Sequence, residues 1–142
     1  MKRFFLLSVI ALLLVACNKN QKVVKQLDGK WNITSYVYTW DGETVDVLAE
    51  EEGYALSWDF NNCKLKDDEF CTIIWTEVYD GIADSFVLEY RVEGNGTSLE
   101  LRDLDYPSEL IYFKIVEQSK VALTIMTDDG DGDNTTITLE KE

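Results

Sequence analysis

The sequence contains no histidine, so the residues most able to do chemistry are its acidic and aromatic side chains. Without histidine, nucleophilic catalysis of the Ser-His-Asp and Cys-His types is excluded, as are zinc sites ligated by histidine. A carboxylate enzyme of the glycosidase type would need one acidic pair that is set apart from the rest. The sequence has 27 aspartates and glutamates, and no pair among them stands out. We therefore predict that the protein is not an enzyme and uses no organic cofactor.

Alternating aspartates near the C-terminus have the spacing of a calcium-binding loop. Asp129, Asp131 and Asp133 would take the first, third and fifth positions, and Glu140 would take the twelfth. Asn134, however, stands at the sixth position, where such loops carry glycine, and the flanking residues alternate as strands do. We favour a solvated hairpin turn here, with weak calcium binding as the alternative.

The three cysteines divide into one near the N-terminus and a pair in the middle of the chain. Cys17 follows an apolar segment, residues 4–15, which comes directly after two basic residues. This is the pattern of a secretion signal, and the segment is shorter than the roughly 20 apolar residues of a membrane span. In an exported protein, Cys63 and Cys71 are expected to form a disulfide across a polar loop, with two free thiols as the alternative.

The end of the apolar segment, Leu14-Val15-Ala16-Cys17, resembles the lipobox of bacterial lipoproteins. The resemblance implies that residues 1–16 are a signal peptide and that Cys17 carries the lipid. Residues 17–26 are then a lipidated N-terminus and polar tether, and residues 27–142 form one domain. We expect an outer-membrane lipoprotein and favour the periplasmic face, because nothing after Cys17 resembles a signal for surface export.

The charge of the chain limits its partners. The formal net charge is −14 at pH 7, so the protein repels phosphate backbones and we expect no nucleic-acid partner. The same charge repels anionic headgroups, so membrane attachment is expected to come from the lipid rather than from a basic face. An acidic exterior aids solubility and is also the surface that a protein-interaction or scaffold module would use.

Short alternating runs rich in aromatic and β-branched residues follow the tether, and turn residues separate them. Such runs predict strands. No long helix offers a parallel crossover, so we predict an all-β fold, an eight-stranded antiparallel up-and-down barrel, with a β-sandwich as the alternative. Residues 41–53 fit either a short helix or a loop. The eight predicted strands are residues 31–40, 54–60, 71–79, 84–93, 98–104, 109–117, 121–127 and 135–141.

A Gly-x-Trp motif heads the first predicted strand. Gly29 and Trp31 resemble the signature of lipocalins, and the chain as a whole is similar to the small lipocalin-like lipoproteins of Bacteroidetes-type bacteria. In lipocalins the tryptophan packs across the closed end of the barrel, beneath an arginine from late in the chain. No arginine follows Arg102 here, so Lys141 would have to take that place.

A lipocalin-like barrel implies a small apolar ligand in its interior. If Trp31 points inward, strict alternation puts Ser35 and Val37 on the same face. Aromatic and aliphatic side chains suit an apolar ligand pocket, but they equally suit a barrel filled by its own side chains, which would act as a protein-interaction module. The candidate pocket residues are Val37, Tyr54, Trp58, Leu88, Tyr90 and Phe113.

Overall fold

The structure is a computed structural model, and it describes residues 18–65, 69–127 and 132–142. Within these residues, no helix has the length and apolar character that crossing a bilayer requires. The elements in chain order are α1 (Lys19–Leu27), β1 (Gly29–Trp40), β2 (Glu43–Asp46), α2 (Val47–Glu50), β3 (Tyr54–Phe60), β4 (Cys71–Tyr79), β5 (Ile82–Glu93), β6 (Ser98–Asp103), β7 (Leu110–Gln118), β8 (Ala122–Met126) and β9 (Asn134–Lys141).

The strands form one antiparallel sheet that closes on itself. Each strand from β3 to β9 pairs with the next, and β9 pairs with β1 to complete the cylinder. β1 pairs with β3 only over its first residues, Gly29 to Asn32, and with β2 over its last four. The predicted eight-stranded barrel is therefore confirmed in preference to a β-sandwich, and β2 is an additional short strand. Residues 41–53, which fitted either a helix or a loop, contain both β2 and the single turn α2.

A β-bulge in β1 reverses the direction of its side chains. Ile33 lies opposite Leu139, but Ser35 lies opposite Thr138, so one extra residue is inserted in β1. Past the bulge Tyr36 faces Ile137, a buried residue of the barrel interior. A shift of one residue moves each later side chain to the other face of the sheet. The expectation that Ser35 and Val37 share the face of Trp31 was wrong for this reason.

Helix α1 closes one end of the barrel, which we call the closed end. Its apolar residues Val23, Val24 and Leu27 are buried, and they lie on one face because their spacing matches the helical repeat. The side chain of Asn18 caps the helix by accepting a hydrogen bond from the Gln21 amide at 3.2 Å. The interpretation of residues 18–26 as a polar tether was wrong from Lys19 onward, since three apolar residues suffice to dock the helix.

Hydrogen bonds tie α1 to strand connections beneath it. The Gly96 amide donates to Asn20 Oδ1 at 2.7 Å in the β5–β6 turn. Gln118, the last residue of β7 before the β7–β8 turn, donates through Nε2 to Gln26 Oε1 at 2.7 Å. Because antiparallel connections alternate between the two ends of a barrel, the β1–β2, β4–β5, β6–β7 and β8–β9 connections all lie at the opposite end. We call that end the open end.

The half of the barrel nearest α1 is filled by its own side chains. Large residues from α1 and from seven of the eight barrel strands meet there, and each of them is less than 2% exposed. This packed half satisfies the requirement for a hydrophobic core without any ligand. The largest fully buried side chains are Trp31, Trp58, Tyr90, Phe60, Leu27, Ile73, Leu99, Leu101, Leu123, Ile125, Ile137 and Leu139.

The buried hydroxyl of Tyr90 should make the protein less stable at alkaline pH. This hydroxyl donates to the Asn61 carbonyl at 3.1 Å, and burial, aided by the Asp28 carboxylate, raises its pKa well above the usual value. An unfolded tyrosine ionises near pH 10, so this stabilisation is complete below about pH 10 and is lost as pH rises further, at up to about 1.4 kcal/mol per pH unit. Tyr90→Phe should therefore flatten the decline in the free energy of unfolding, measured by urea titration across this pH range. Tyr106→Phe, at an exposed position, should leave the decline unchanged, and equal slopes for all three proteins would contradict the prediction.

Candidate functional site

The packed core gives way to solvent along a row of aromatic rings on β3, β4 and β5. Trp58, Trp75 and Phe86 lie at facing positions on these strands. The ring centroids are 5.2 Å apart for Trp58 and Trp75, and 5.7 Å apart for Trp75 and Phe86. Trp58 is completely buried, whereas Phe86 is 42% exposed. β5 pairs with β6 only from Leu88 onward, so Phe86 lies where the β4–β5 hairpin extends beyond that pairing. The inner side of the sheet thus carries accessible aromatic surface at the open end.

Two carboxylates occupy the next inward row. Glu77 faces Leu56 on one side and Asp84 on the other. Since residues two apart in a strand share a face, Glu77 and Asp84 point to the same side of the sheet as Trp75 and Phe86. The Trp75 indole N–H donates to Glu77 Oε1 at 2.9 Å, which fixes the position of this carboxylate.

Two tyrosines share the inner side of the sheet with Glu77. Burial raises the pKa of Tyr36, and the negative charge of Glu77 raises it further. The same two causes, in the same order, raise the pKa of Tyr54. Tyr54 shares the inner face of β3 with Leu56, the partner of Glu77, and Tyr36 faces the interior past the bulge, so both tyrosines lie on the same side of the sheet as Glu77. We call the surface formed by Tyr36, Tyr54, Trp75, Glu77, Asp84 and Phe86 the mouth.

The turn α2 covers the side of the mouth where β1 and β3 are not paired. The Asp46 side chain holds it there, because Oδ1 accepts from the Leu48 amide at 3.1 Å and Oδ2 accepts from Ser35 Oγ at 3.1 Å. Leu48 packs against the core as a result. The bulge that turned Ser35 outward thereby supplies the hydroxyl that positions α2.

Trp58 lies beneath the mouth and carries a polar atom without a partner. Its Nε1 is buried and donates to no acceptor within the part of the chain that the structure describes. A buried N–H that lacks a hydrogen bond costs about 1–3 kcal/mol. An acceptor atom of a bound molecule, or a water, would recover that cost.

The predicted pocket residues are distributed over three places. Tyr54 belongs to the mouth, Trp58 lies directly beneath it, and Leu88 packs against the core at its margin. Tyr90 and Phe113 are buried in the packed half of the barrel, and Val37 lies on the outer face beyond the bulge.

Sequence reasoning missed Trp75, Glu77 and Asp84. Residues 71–79 are apolar on both faces, so their alternation did not reveal which face is inward. The available signal was that Trp75 and Glu77 are two residues apart and therefore share a face.

At the closed end, Trp31 and Lys141 form the contact that the lipocalin resemblance implies. The Trp31 indole N–H donates to the Leu27 carbonyl at 2.6 Å, and the Lys141 ammonium lies 5.4 Å from the centroid of the ring. Lys141 also donates to the backbone carbonyls of Gln26 and Asp28. The expected position of Lys141 over Trp31 is confirmed, and one lysine joins α1, β1 and β9.

The predicted disulfide between Cys63 and Cys71 is present, with Cα atoms 5.5 Å apart. Its loop also binds α1, because Gln21 Nε2 donates to the Cys63 carbonyl at 2.8 Å and Gln21 Oε1 accepts from the Leu65 amide at 2.7 Å. The bridge therefore holds the docking surface for the helix in place.

Replacing both bridged cysteines by alanine should lower the free energy of unfolding by about 2.5 kcal/mol, as expected for so short a closed loop. Urea unfolding of the variant, and of the native protein with and without a thiol reductant, measures the loss. The reductant should lower the native protein to the level of the variant and leave the variant itself unaffected. A difference below about 0.5 kcal/mol would contradict the prediction.

Two of the three aspartates of the proposed calcium loop, Asp129 and Asp131, lie outside the described residues. Asp133 is described, and its Oδ1 accepts a hydrogen bond from the Asp41 amide at 3.1 Å. This bond joins two connections of the open end. Among the residues that the structure describes, no group of three or more acidic or cysteine side chains is arranged to hold a metal ion.

Comparison with solved structures finds other β-barrels. A redesigned β-barrel matches with a TM-score of 0.51 and 13% identity, over 84% of this chain and 95% of that one. A second redesigned β-barrel, mFAP1 bound to DFHBI, matches with a TM-score of 0.44 and 18% identity, over 84% of this chain and 98% of that one. No family model and no curated protein matches the sequence. The first similarity supports the barrel fold.

Proposed function

We propose that the protein is an exported, membrane-anchored lipoprotein whose barrel binds a small, largely apolar ligand in the mouth. The observation that supports ligand binding is the exposure of Phe86 on the inner wall, one strand away from stacked Trp75 and two from buried Trp58. Inward aromatic surface that its own core does not cover is the feature by which apolar pockets hold ligands. Covering it would contribute about 25 cal/mol for each Å² of apolar surface removed from water.

Polar groups around the aromatic surface would orient the ligand. The mouth offers the hydroxyls of Tyr36 and Tyr54 and the carboxylate of Glu77, and the N–H of Trp58 lies below. Ligand sites typically combine an apolar lining with a few such groups. A ligand with an apolar body and at least one hydrogen-bonding group fits this combination.

Intrinsic tryptophan fluorescence tests the proposal, because Trp58 and Trp75 would be close to the ligand. A panel of fatty acids, sterols and haem should include molecules that change the emission saturably. Phe86→Ala should weaken their binding about tenfold by removing part of the apolar contact. Val87→Ala, at the adjacent outward position, is the matched control and should bind as the native protein does. A panel without any saturable response would overturn the proposal.

The lipid anchor would orient the barrel. Cys17 directly precedes Asn18, the cap of α1, and α1 lies across the closed end. An anchor on Cys17 would therefore hold the closed end towards the membrane and the mouth away from it. The exposed lysines of α1, Lys19, Lys22 and Lys25, would then lie on the membrane side, where they would moderate the repulsion between an acidic protein and anionic headgroups.

Cys17→Ala tests the anchor in cells that export the protein. The native protein should incorporate labelled palmitate and sediment with the outer membrane, and the variant should do neither. Incorporation of label into the variant would overturn the proposed attachment site.

A second candidate function, docking of a protein partner, is favoured by the rim of the open end. Five large apolar side chains in or beside its connections are between 51% and 75% exposed. Exposed apolar patches of this kind mark interaction surfaces. Trp40→Ser with Ile82→Ser should abolish cross-linking to such a partner and leave ligand binding unchanged. The five rim residues are Trp40, Tyr79, Ile82, Leu104 and Tyr106.

A further inference from the structure

Two like charges face each other on the inner wall of the mouth. Glu77 of β4 and Asp84 of β5 are direct partners in the antiparallel pairing. The Cβ atoms of directly facing residues lie about 4.5–5.5 Å apart, and like charges at that spacing destabilise a sheet. A cation bound between the carboxylates would remove this repulsion.

The rings beside the carboxylates favour an organic cation over a bare metal ion. Trp75 and Phe86 are stacked with an angle of 19° between their planes, and Trp75 holds Glu77 through its indole N–H. Aromatic faces attract ammonium groups, and they do so most strongly where water is partly excluded. Calcium and magnesium instead require several oxygen ligands, which two carboxylates among aromatic rings do not supply.

The surrounding charges have the sign that attracts cations. The inward positions of β3, β4 and β5, all within the described residues, carry no lysine or arginine. The connections at the open end add Asp41, Asp80 and Asp105. An acidic rim around an apolar surface raises the local concentration of cations and lowers that of anions.

We propose that the ligand of the mouth is a small organic cation, with an apolar or aromatic body against Trp75 and Phe86 and an ammonium group between Glu77 and Asp84. This inference rests on the proposed ligand-binding function and assigns the chemical class of the ligand. Glu77 is the principal recognition residue because Trp75 fixes its position.

Three probes that share a phenylalkyl body and a small head group but differ in charge test the inference: 3-phenylpropylammonium, 3-phenylpropanol and 3-phenylpropanoate. Calorimetric titration at low salt should show that the cation binds at least about tenfold more tightly than the alcohol, and that the anion binds most weakly. Glu77→Gln should weaken the cation about fivefold and leave the alcohol unchanged. Glutamine can still accept the Trp75 hydrogen bond, and near-ultraviolet circular dichroism verifies that the variant is folded.

Glu140→Gln removes the same charge from an exposed position at the closed end and is the matched control. Equal weakening of the cation by both variants would overturn the assignment of Glu77. Equal binding of all three probes would overturn the charge preference and leave the proposed ligand-binding function standing. Binding of none of these probes, together with a silent fluorescence panel, would overturn both.

Discussion

Trp31→Ala is expected to lower the free energy of unfolding by about 3–5 kcal/mol, the cost of removing a large side chain from a packed core. Trp31 has no exposed surface and faces Trp58 across the β1–β3 pairing. The cavity would form where β1, β3 and α1 meet, and the closed barrel wall on either side of β1 leaves little freedom to collapse into it. The loss of stability for Trp31→Ala should therefore lie at the upper end of this range.

The Trp31 hydrogen bond adds to this loss. The indole donates to the Leu27 carbonyl at 2.6 Å, at the last residue of α1. Alanine would leave that carbonyl without its donor, at a further cost of about 1 kcal/mol. Lys141 would lose the ring beneath its ammonium and keep its bonds to two backbone carbonyls.

Urea unfolding of three variants separates these contributions. Trp31→Phe keeps most of the ring and loses the hydrogen bond, so it should fall between the native protein and Trp31→Ala. Trp40→Ala, at a residue that is 67% exposed, should change stability by less than about 0.5 kcal/mol. A loss below about 1 kcal/mol for Trp31→Ala would mean that Trp31 does not organise the closed end.

Most strands were predictable because apolar and polar residues alternate along them, with the apolar side facing a continuous core. The predicted ranges 54–60 and 71–79 coincide with β3 and β4, and the Gly-x-Trp motif correctly marked the start of β1. Closure of the barrel followed from the absence of a crossover helix, and the position of Lys141 followed from the family resemblance. These features depend on the local pattern of residues and on the pairing of successive strands, and both can be inferred directly from the sequence.

The direction of side chains in β1 was not predictable, because a bulge leaves no local signal. Ile33 to Val37 reads as regular alternation, yet the extra residue exists only relative to β9. The mouth was missed for a related reason. Its carboxylates and rings come together through the register of β3, β4 and β5, and register is a property of pairs of strands.

The helix α1 was misread because its polar residues outnumber its apolar ones. Residues 18–26 contain three lysines, two glutamines and two asparagines beside Val23 and Val24. An isolated helix this short is unstable in water, so its stability comes from docking. The end of the barrel provides the apolar surface, and that surface exists only after the strands have closed.

Val24→Asp is expected to remove this docking. Val24 has no exposed surface, and an uncompensated buried carboxylate costs about 3–5 kcal/mol. The helix can avoid that cost by leaving the barrel. It then loses the stabilisation that burial of Val23, Val24 and Leu27 gives the native protein, about 1.5–3 kcal/mol for each side chain. The three residues together amount to about 4.5–9 kcal/mol, from which the chain entropy regained by the released helix subtracts, so the protein should lose at least about 3 kcal/mol of stability by either route.

Lys25→Asp is the matched control, because Lys25 is the adjacent residue and is exposed. It changes the charge more than Val24→Asp does, yet it should alter stability by less than about 1 kcal/mol. Hydrogen exchange at the amides of residues 22–28 reports the helix directly, and only Val24→Asp should remove their protection. A flexible tether would respond equally little to both substitutions. A large difference between them would therefore mean that α1 is docked, so that the proposed anchor at Cys17 would let the mouth turn only a limited distance towards the membrane.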